Sequence, residues 1–139
     1  MSTPSDLTAE AIEFLAERHL GTLTSLRRDG SPHVAAIGFT YDPHDRCVRV
    51  ITSGGNQKAA NARRGGRAAV AQVDGRRWLS LEGPVRVLTA ASEVRRAEQL
   101  YAERYRKPRP NPERVVIEIR VDRVLGTAFL LGRSPRLPG

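Results

Sequence analysis

The period of the apolar positions changes several times along this chain, and the changes divide it into elements. Thr8 stands as a helix N-cap ahead of Ile12, Leu15 and His19, which share one face at helical spacing, while Leu7 and Ile12 have the separation of a hydrophobic staple. A helix from Thr8 to Arg18 is predicted. Leu20–Arg28 then reads as a strand, Arg28-Asp29-Gly30-Ser31-Pro32 as a hairpin turn built on Asp-Gly, and His33–Tyr41 as a second strand, apolar enough to be buried on both faces. After a turn at Asp42–Asp45, Cys47–Ser53 forms a third strand; a short helix beyond Gly55 ends at Arg64-Gly65-Gly66. Arg67–Val73 is a fourth strand. Trp78–Leu88 is a long fifth, with a bulge or bend expected at Gly83-Pro84 because proline cannot donate to a central ladder. Ser92 is the expected cap of an amphipathic helix to Arg106, with Val94, Ala97, Tyr101 and Tyr105 at helical spacing. The prolines of Lys107–Pro112 force an extended segment. Val115, Ile117, Ile119 and Val121 alternate with Glu118 and Arg120 as a sixth strand, and Phe129-Leu130-Leu131 packs behind it. Strands joined mostly by hairpin turns do not make a βαβ alternation, and no GxGxxG is present. The expectation is a mainly β fold, a six-stranded antiparallel barrel with peripheral helices, in one domain over 1–139 with disordered tails at 1–6 and 133–139.

The segment Val50–Asn61 carries the most chemistry. It reads as a strand ending in the hydroxyls of Thr52 and Ser53, a turn on Gly54 and Gly55, and a helix with Lys58 in its first turn. Glycines let a backbone approach an anion, and a helix start offers free N–H groups beside the lysine. The same pattern without a ligand is a β-to-α turn with a solvated lysine.

Composition narrows the field. Apolar residues are 40% of the 139 and charged residues 27%, as in a folded globular protein, and no apolar run approaches the ~20 residues of a membrane span. Met1–Leu7 lacks the basic start and apolar run of a secretory signal, and the lone Cys47 reads as a packing residue, so the expected compartment is the cytoplasm. A chain this short is small for an enzyme that buries a large cofactor alone, which favours a site completed by a partner subunit. The net charge of +8 suits nucleic acid or anionic small molecules, but aromatic residues are only 5% of the chain, poor for base stacking, and no nucleic-acid motif is present. The basic residues form two clusters, Lys58 with Arg63, Arg64, Arg67, Arg76 and Arg77, and Arg104 with Arg106, Lys107, Arg109 and Arg114. There is no HExxH, CxxC or GxSxG, and the histidines at 19, 33 and 44 have no metal-ligand spacing.

Three segments in order resemble the flavin and deazaflavin split-barrel family related to pyridoxamine 5′-phosphate oxidase. They are Leu20–Leu26 with Gly30–Val34, the Val50–Asn61 segment, and Trp78–Gly83 followed by the helix and Tyr105–Pro112. The wording Asn56-Gln57-Lys58, Asp74-Gly75-Arg76-Arg77-Trp78 and Arg109-Pro110-Asn111-Pro112 is most similar to actinobacterial enzymes that use coenzyme F420, among them the F420-dependent biliverdin reductases. The resemblance implies a split β-barrel homodimer with two cofactor sites at the subunit interface. By position it implies a phosphate-binding segment of Thr52, Ser53, Lys58, Ala59, Asn61 and Arg64, and a strand Ala35, Ala36, Ile37 and Gly38 along a tricyclic ring. It also implies that Arg77, Trp78 and Ser80 are offered by the other subunit. FMN is the competing cofactor. Arg63, Arg64 and Arg67 would meet the anionic tail of F420, and Arg106, Lys107 and Arg109 an anionic substrate. The implied activity is hydride transfer from reduced F420 to a conjugated acceptor such as biliverdin, giving bilirubin, with no metal. The alternatives are an FMN- or haem-binding protein or oxidase on the same barrel, and a non-enzymatic F420 carrier.

Overall fold

The computed structural model describes residues 1–132. Its strands are β1 (Gly21–Leu26), β2 (Pro32–Ile37), β3 (Thr40–Asp42), β4 (Cys47–Ser53), β5 (Arg67–Asp74), β6 (Arg77–Leu88), β7 (Arg114–Arg120) and β8 (Arg123–Gly126); its helices are α1 (Ala9–Ala16), α2 (Gln57–Arg63) and α3 (Ala91–Arg104). Every pairing is antiparallel, and the strand path runs β2-β1-β5-β6-β7-β4-β3, with β8 also on β6. The mainly β expectation holds, with eight strands among the described residues in place of six. The two extra strands have different origins. The predicted His33–Tyr41 strand breaks at Gly38-Phe39 into β2 and β3, which pair with different neighbours, and β8 is four residues with no alternation to announce it.

Strand β6 joins the two halves of the barrel. Its first part pairs with β5 and β8, and Val85–Leu88 pairs with β7. No bulge is needed at Gly83-Pro84: Pro84 lies opposite Arg67 at the start of β5, and Gly83 crosses directly over the carbonyl of Arg120. The main core fills the interior with Phe14, Leu23, Phe39, Val48, Val50, Val70, Leu79, Leu81, Ile117, Ile119 and Leu130. Strand β7 is buried on both faces, Val116 as fully as Ile117; Glu118 is 7% exposed and accepts from Arg86 Nε at 2.7 Å.

Thr8 caps α1 as predicted, its hydroxyl accepting from the Ala11 N–H at 3.1 Å. Ser92 does not cap α3; the N-cap is Ala90, without a side-chain bond, and the helix stops at Arg104. Residues 1–6, expected to be disordered, carry a 3₁₀ turn at Pro4–Asp6, and Ser2 bridges to Val124, so the segment closes over β8. Residues 133–139, also expected to be disordered, lie outside the described residues. Among the described residues no helix is long and apolar enough to cross a membrane.

Candidate functional site

The two ends of the strand path, β2 and β3, follow one another in sequence yet do not pair. At that split a cavity of about 500 Å3 opens. Ala36, Ile37 and Gly38 form one wall, Ile51, Thr52 and Ser53 at the end of β4 another, and Arg106–Arg109 with Asn111 complete it. Nine residues named from sequence meet here: Ala36, Ile37, Gly38, Thr52, Ser53, Lys58, Arg106, Lys107 and Arg109.

The hydroxyls are set up to donate. Thr52 Oγ1 accepts from Asn56 Nδ2 at 2.7 Å, and Ser53 Oγ accepts from Asn111 Nδ2 at 2.8 Å. A hydroxyl that already accepts keeps its single proton for another partner. Asn56 and Asn111 therefore turn two ambivalent groups into donors facing a cavity whose lining contains no carboxylate. Lys58, Arg106 and Lys107 make no hydrogen bond or ion pair among the described residues, and the Arg109 guanidinium makes none either. Four uncompensated cations and two hydroxyl donors around one opening select for an anion.

Neither Gly54 nor Gly55 lines the cavity, and neither has a positive φ. Gly54 is small because Arg63 Nη2 and the Glu113 carbonyl would lie 3.1 and 3.3 Å from a Cβ.

The remaining candidates lie elsewhere. Ala35, on the opposite face of β2 from Ala36, packs against the core, and Ala59 is wholly buried. Asn61 is 2% exposed; its carbonyl oxygen accepts from Gln57 and Arg64, and its amide donates to Ser25 Oγ at 3.1 Å. It fastens α2 to β1. The arginines assigned to an anionic tail are all engaged within the chain. Arg63 donates to the Gly54 carbonyl, Arg64 to the Leu26 carbonyl, and Arg67 forks onto Asp122 at 2.9 and 2.6 Å. Arg77 bonds both oxygens of Glu17 (2.7 and 2.9 Å) and Asp74, and stacks 4.6 Å above the Phe14 ring. That hydrogen bond holds the Glu17 carboxyl below its ordinary pKa. Glu17, His19 and Asp74 have ligand atoms within 4.8 Å of one another, but the Arg77 guanidinium already supplies their positive charge.

Trp78 and Ser80 lie on the outer face of the β1-β2-β5-β6 sheet, outside the cavity of their own chain. Cross-strand pairs share a face, and the register puts Val34 beside Thr24, Ala36 beside Thr22, Ala71 beside Ser80, and Val73 beside Trp78. Val34 is 61% exposed, Val73 67% and Trp78 40%. The apolar character of β2, read from sequence as burial on both faces, belongs partly to this open face and to the cavity wall.

Sequence reasoning left Ile51, Asn56, Tyr101, Asn111 and Arg114 unassigned, and all five line the cavity. For Asn111 the signal was its position between two prolines, which fixes the backbone and aims the amide at Ser53.

Comparison with known proteins agrees with this architecture. The family model described as pyridoxamine 5′-phosphate oxidase matches residues 7–128. A protein of Mycobacterium tuberculosis named F420H(2)-dependent biliverdin reductase is 58% identical over 134 residues, covering 96% of this chain and 98% of its own. A conserved hypothetical protein of the same organism superposes with a TM-score of 0.75 at 25% identity, over 91% of this chain and 89% of its own. A structure titled F420 reductase superposes with a TM-score of 0.64 at 25% identity, over 81% of this chain and 94% of its own. The open antiparallel barrel, the cavity at its split and a family match over nearly all of its length lead to one conclusion: this chain belongs to the pyridoxamine 5′-phosphate oxidase family.

Proposed function

We propose that the protein is an F420H2-dependent reductase of a conjugated, anionic acceptor, with biliverdin as the leading case, and that it works as a homodimer. The observation that carries the proposal is the cavity at the barrel split. Two primed hydroxyls and Lys58 stand at one side, a wall of small residues at another, and unpaired cations around the mouth. These residues fit a flat, phosphate-bearing cofactor with additional negative charge, and the 58% identity with the F420H(2)-dependent biliverdin reductase over 96% of this chain supports F420 over FMN. When bound, reduced F420 supplies a hydride.

The work left to the chain is binding and alignment. Thr52, Ser53 and Lys58 hold the phosphate. Ala36 and Gly38 carry too little side chain to keep a ring from the main chain of β2. Arg106, Lys107 and Arg109 attract anions to the mouth. The open face around Trp78 and Val73 is the surface that a second copy covers, bringing Trp78 and Ser80 to the partner's cavity and excluding water from it.

Titration of the purified protein with F420 and with FMN, followed by steady-state reduction of biliverdin with F420H2, tests the assignment. Preferential FMN binding, or F420 binding without turnover of any bilin, overturns it. Lys58→Ala should raise the dissociation constant for F420 about 10- to 100-fold, the value of one charge-assisted hydrogen bond. Because the Lys58 ammonium has no partner among the described residues, stability should change by less than about 0.5 kcal/mol. Unchanged affinity would remove the lysine from the phosphate site. Trp78→Ala should weaken the dimer about tenfold or more in sedimentation equilibrium, as loss of a central aromatic does. A variant that sediments and binds F420 like the wild type would exclude this face as the interface.

A further inference from the structure

Beside the main cavity lies a second, of about 410 Å3, lined by Arg18, His19, Leu20, Tyr101, Tyr105 and Arg106. Tyr101 and Arg106 belong to both. The shared wall is on the Gly38 side, where a Cβ would come within 3.1 Å of the Tyr101 ring and 3.2 Å of the Tyr105 ring. The two spaces thus adjoin at the end of the β2 wall, away from the hydroxyls at the end of β4.

We propose that this annex is the acceptor subsite, and that Arg18 with Arg106 grips the carboxylates of a flat conjugated acceptor. The proposal rests on the reading of the main cavity as the F420 site.

The lining is amphipathic in a particular way. Leu20 is 68% exposed, and the Tyr101 and Tyr105 rings, tilted by 37° with their centroids 4.8 Å apart, give an aromatic wall. Arg18 and Arg106 have no hydrogen-bond or ion-pair partner among the described residues. Among the described residues no carboxylate lines the annex. The nearest acids, Glu17 and Asp74, are committed to Arg77 and His19. An apolar and aromatic surface between two free guanidinium groups matches a conjugated body with acidic side arms, because each guanidinium can take a carboxylate through two parallel bonds.

The wall is also fixed in place. The Glu17 carbonyl accepts from Arg104 Nε at 2.8 Å, and the His19 carbonyl accepts from the Tyr105 hydroxyl at 2.6 Å. Both carbonyls are turned towards the end of α3, so the intervening Arg18 and the following Leu20 are left to face solvent. A wall anchored at alternate residues loses little freedom when a ligand arrives.

The test uses biliverdin and its dimethyl ester as paired acceptors. In the wild type the ester should show a KM about tenfold or more above that of the acid, as loss of charge-assisted bonds predicts. In Arg18→Gln the KM for biliverdin should rise severalfold, the preference for the acid over the ester should shrink because Arg106 alone remains to pair with a carboxylate, and the dissociation constant for F420 should stay at the wild-type value. A wild type that neither binds F420 nor reduces bilins sinks the cofactor reading itself. A wild type that binds and turns over, with Arg18→Gln keeping both the KM and the preference for the acid, overturns the annex alone.

Discussion

A chain carrying Gly83→Ala is expected to melt at least about 10 °C below the wild type, or to fail to accumulate in soluble form. Gly83 sits where β6 leaves the β5 side of the barrel for β7. Residue 83 is opposite Ala68, and two residues later Val85 is opposite Ile119. At the crossing a Cβ would overlap the carbonyl of Arg120, with the Arg120 carbonyl carbon 2.7 Å away and Val121 Cα at 3.3 Å. All three are backbone atoms, so no rotamer change relieves the clash. The segment they belong to is held on both sides: Val121 N–H donates to the Arg46 carbonyl and Asp122 N–H to the Glu82 carbonyl, each at 2.9 Å. Relief therefore means separating β6 from β7, which breaks the ladder that joins the half-barrels. Overpacking commonly costs about 1–3 kcal/mol, and a backbone collision at a junction belongs at or above the top of that range. Thermal unfolding followed by circular dichroism checks it, and a melting temperature within about 2 °C of wild type would refute the crossing geometry.

The same position shows what the sequence made legible and what it did not. Gly83-Pro84 was visible as an interruption of β6, and proline chemistry suggested a bulge. The actual demand on Gly83 comes from a strand almost 40 residues away, by the numbering of Gly83 and Arg120, and local sequence does not report such an approach. Elements with strong local signals were read well: the Thr8 cap, the Asp-Gly hairpin between β1 and β2, the two-turn α2 ending at Gly65 and Gly66, and β7. β2 was read as doubly buried because apolar patterning cannot distinguish a residue covered by the core from one facing a cavity or a second chain. The cavity at the split was legible in its residue types. Lys58, Thr52 and Ser53, singled out from local chemistry, line it, and so do Ala36–Gly38, which the resemblance supplied. The clustering of arginines was less informative. A count of cations does not reveal which have partners, and in the fold Arg63, Arg64, Arg67 and Arg77 are spent internally while the guanidinium groups of Arg18, Arg106 and Arg109 have no partner among the described residues.

Arg104 is the extreme case of an arginine spent internally, and Arg104→Ala is expected to destabilise the protein by about 3 kcal/mol or more. Read from sequence, it is one member of the basic cluster with Arg106, Lys107, Arg109 and Arg114. In the fold its guanidinium reaches three elements at once: Nε donates to the Glu17 carbonyl after α1, Nη1 to the Phe39 carbonyl between β2 and β3, and Nη2 to Gln72 Oε1 on β5. Its Cζ lies over the Phe39 ring, 4.6 Å from the centroid, and over the Tyr105 ring at 5.0 Å. Gln72 is 1% exposed and passes the connection on by donating to the Phe14 carbonyl at 2.8 Å. No carboxylate is among these partners, and burial pushes the Arg104 pKa below its ordinary value. The buried charge is thus a net cost, and the stabilisation comes from the hydrogen bonds and stacking that the planar fork makes possible. Removing the side chain strands the Glu17 carbonyl and the Gln72 amide oxygen, each carrying a desolvation penalty of about 1–3 kcal/mol where it stays buried, and leaves the Phe39 carbonyl only the Tyr105 hydroxyl at 3.2 Å. Arg104→Lys should recover less than half of the loss, since an ammonium on a flexible stem cannot span three elements or stack in the same plane. Both variants should also weaken F420 binding, because the Phe39 carbonyl is the anchor of the Gly38 wall. Denaturant unfolding of the two variants beside wild type, with F420 titration of whatever remains folded, measures both effects. Full rescue by lysine would show that charge alone matters there and would contradict the fork.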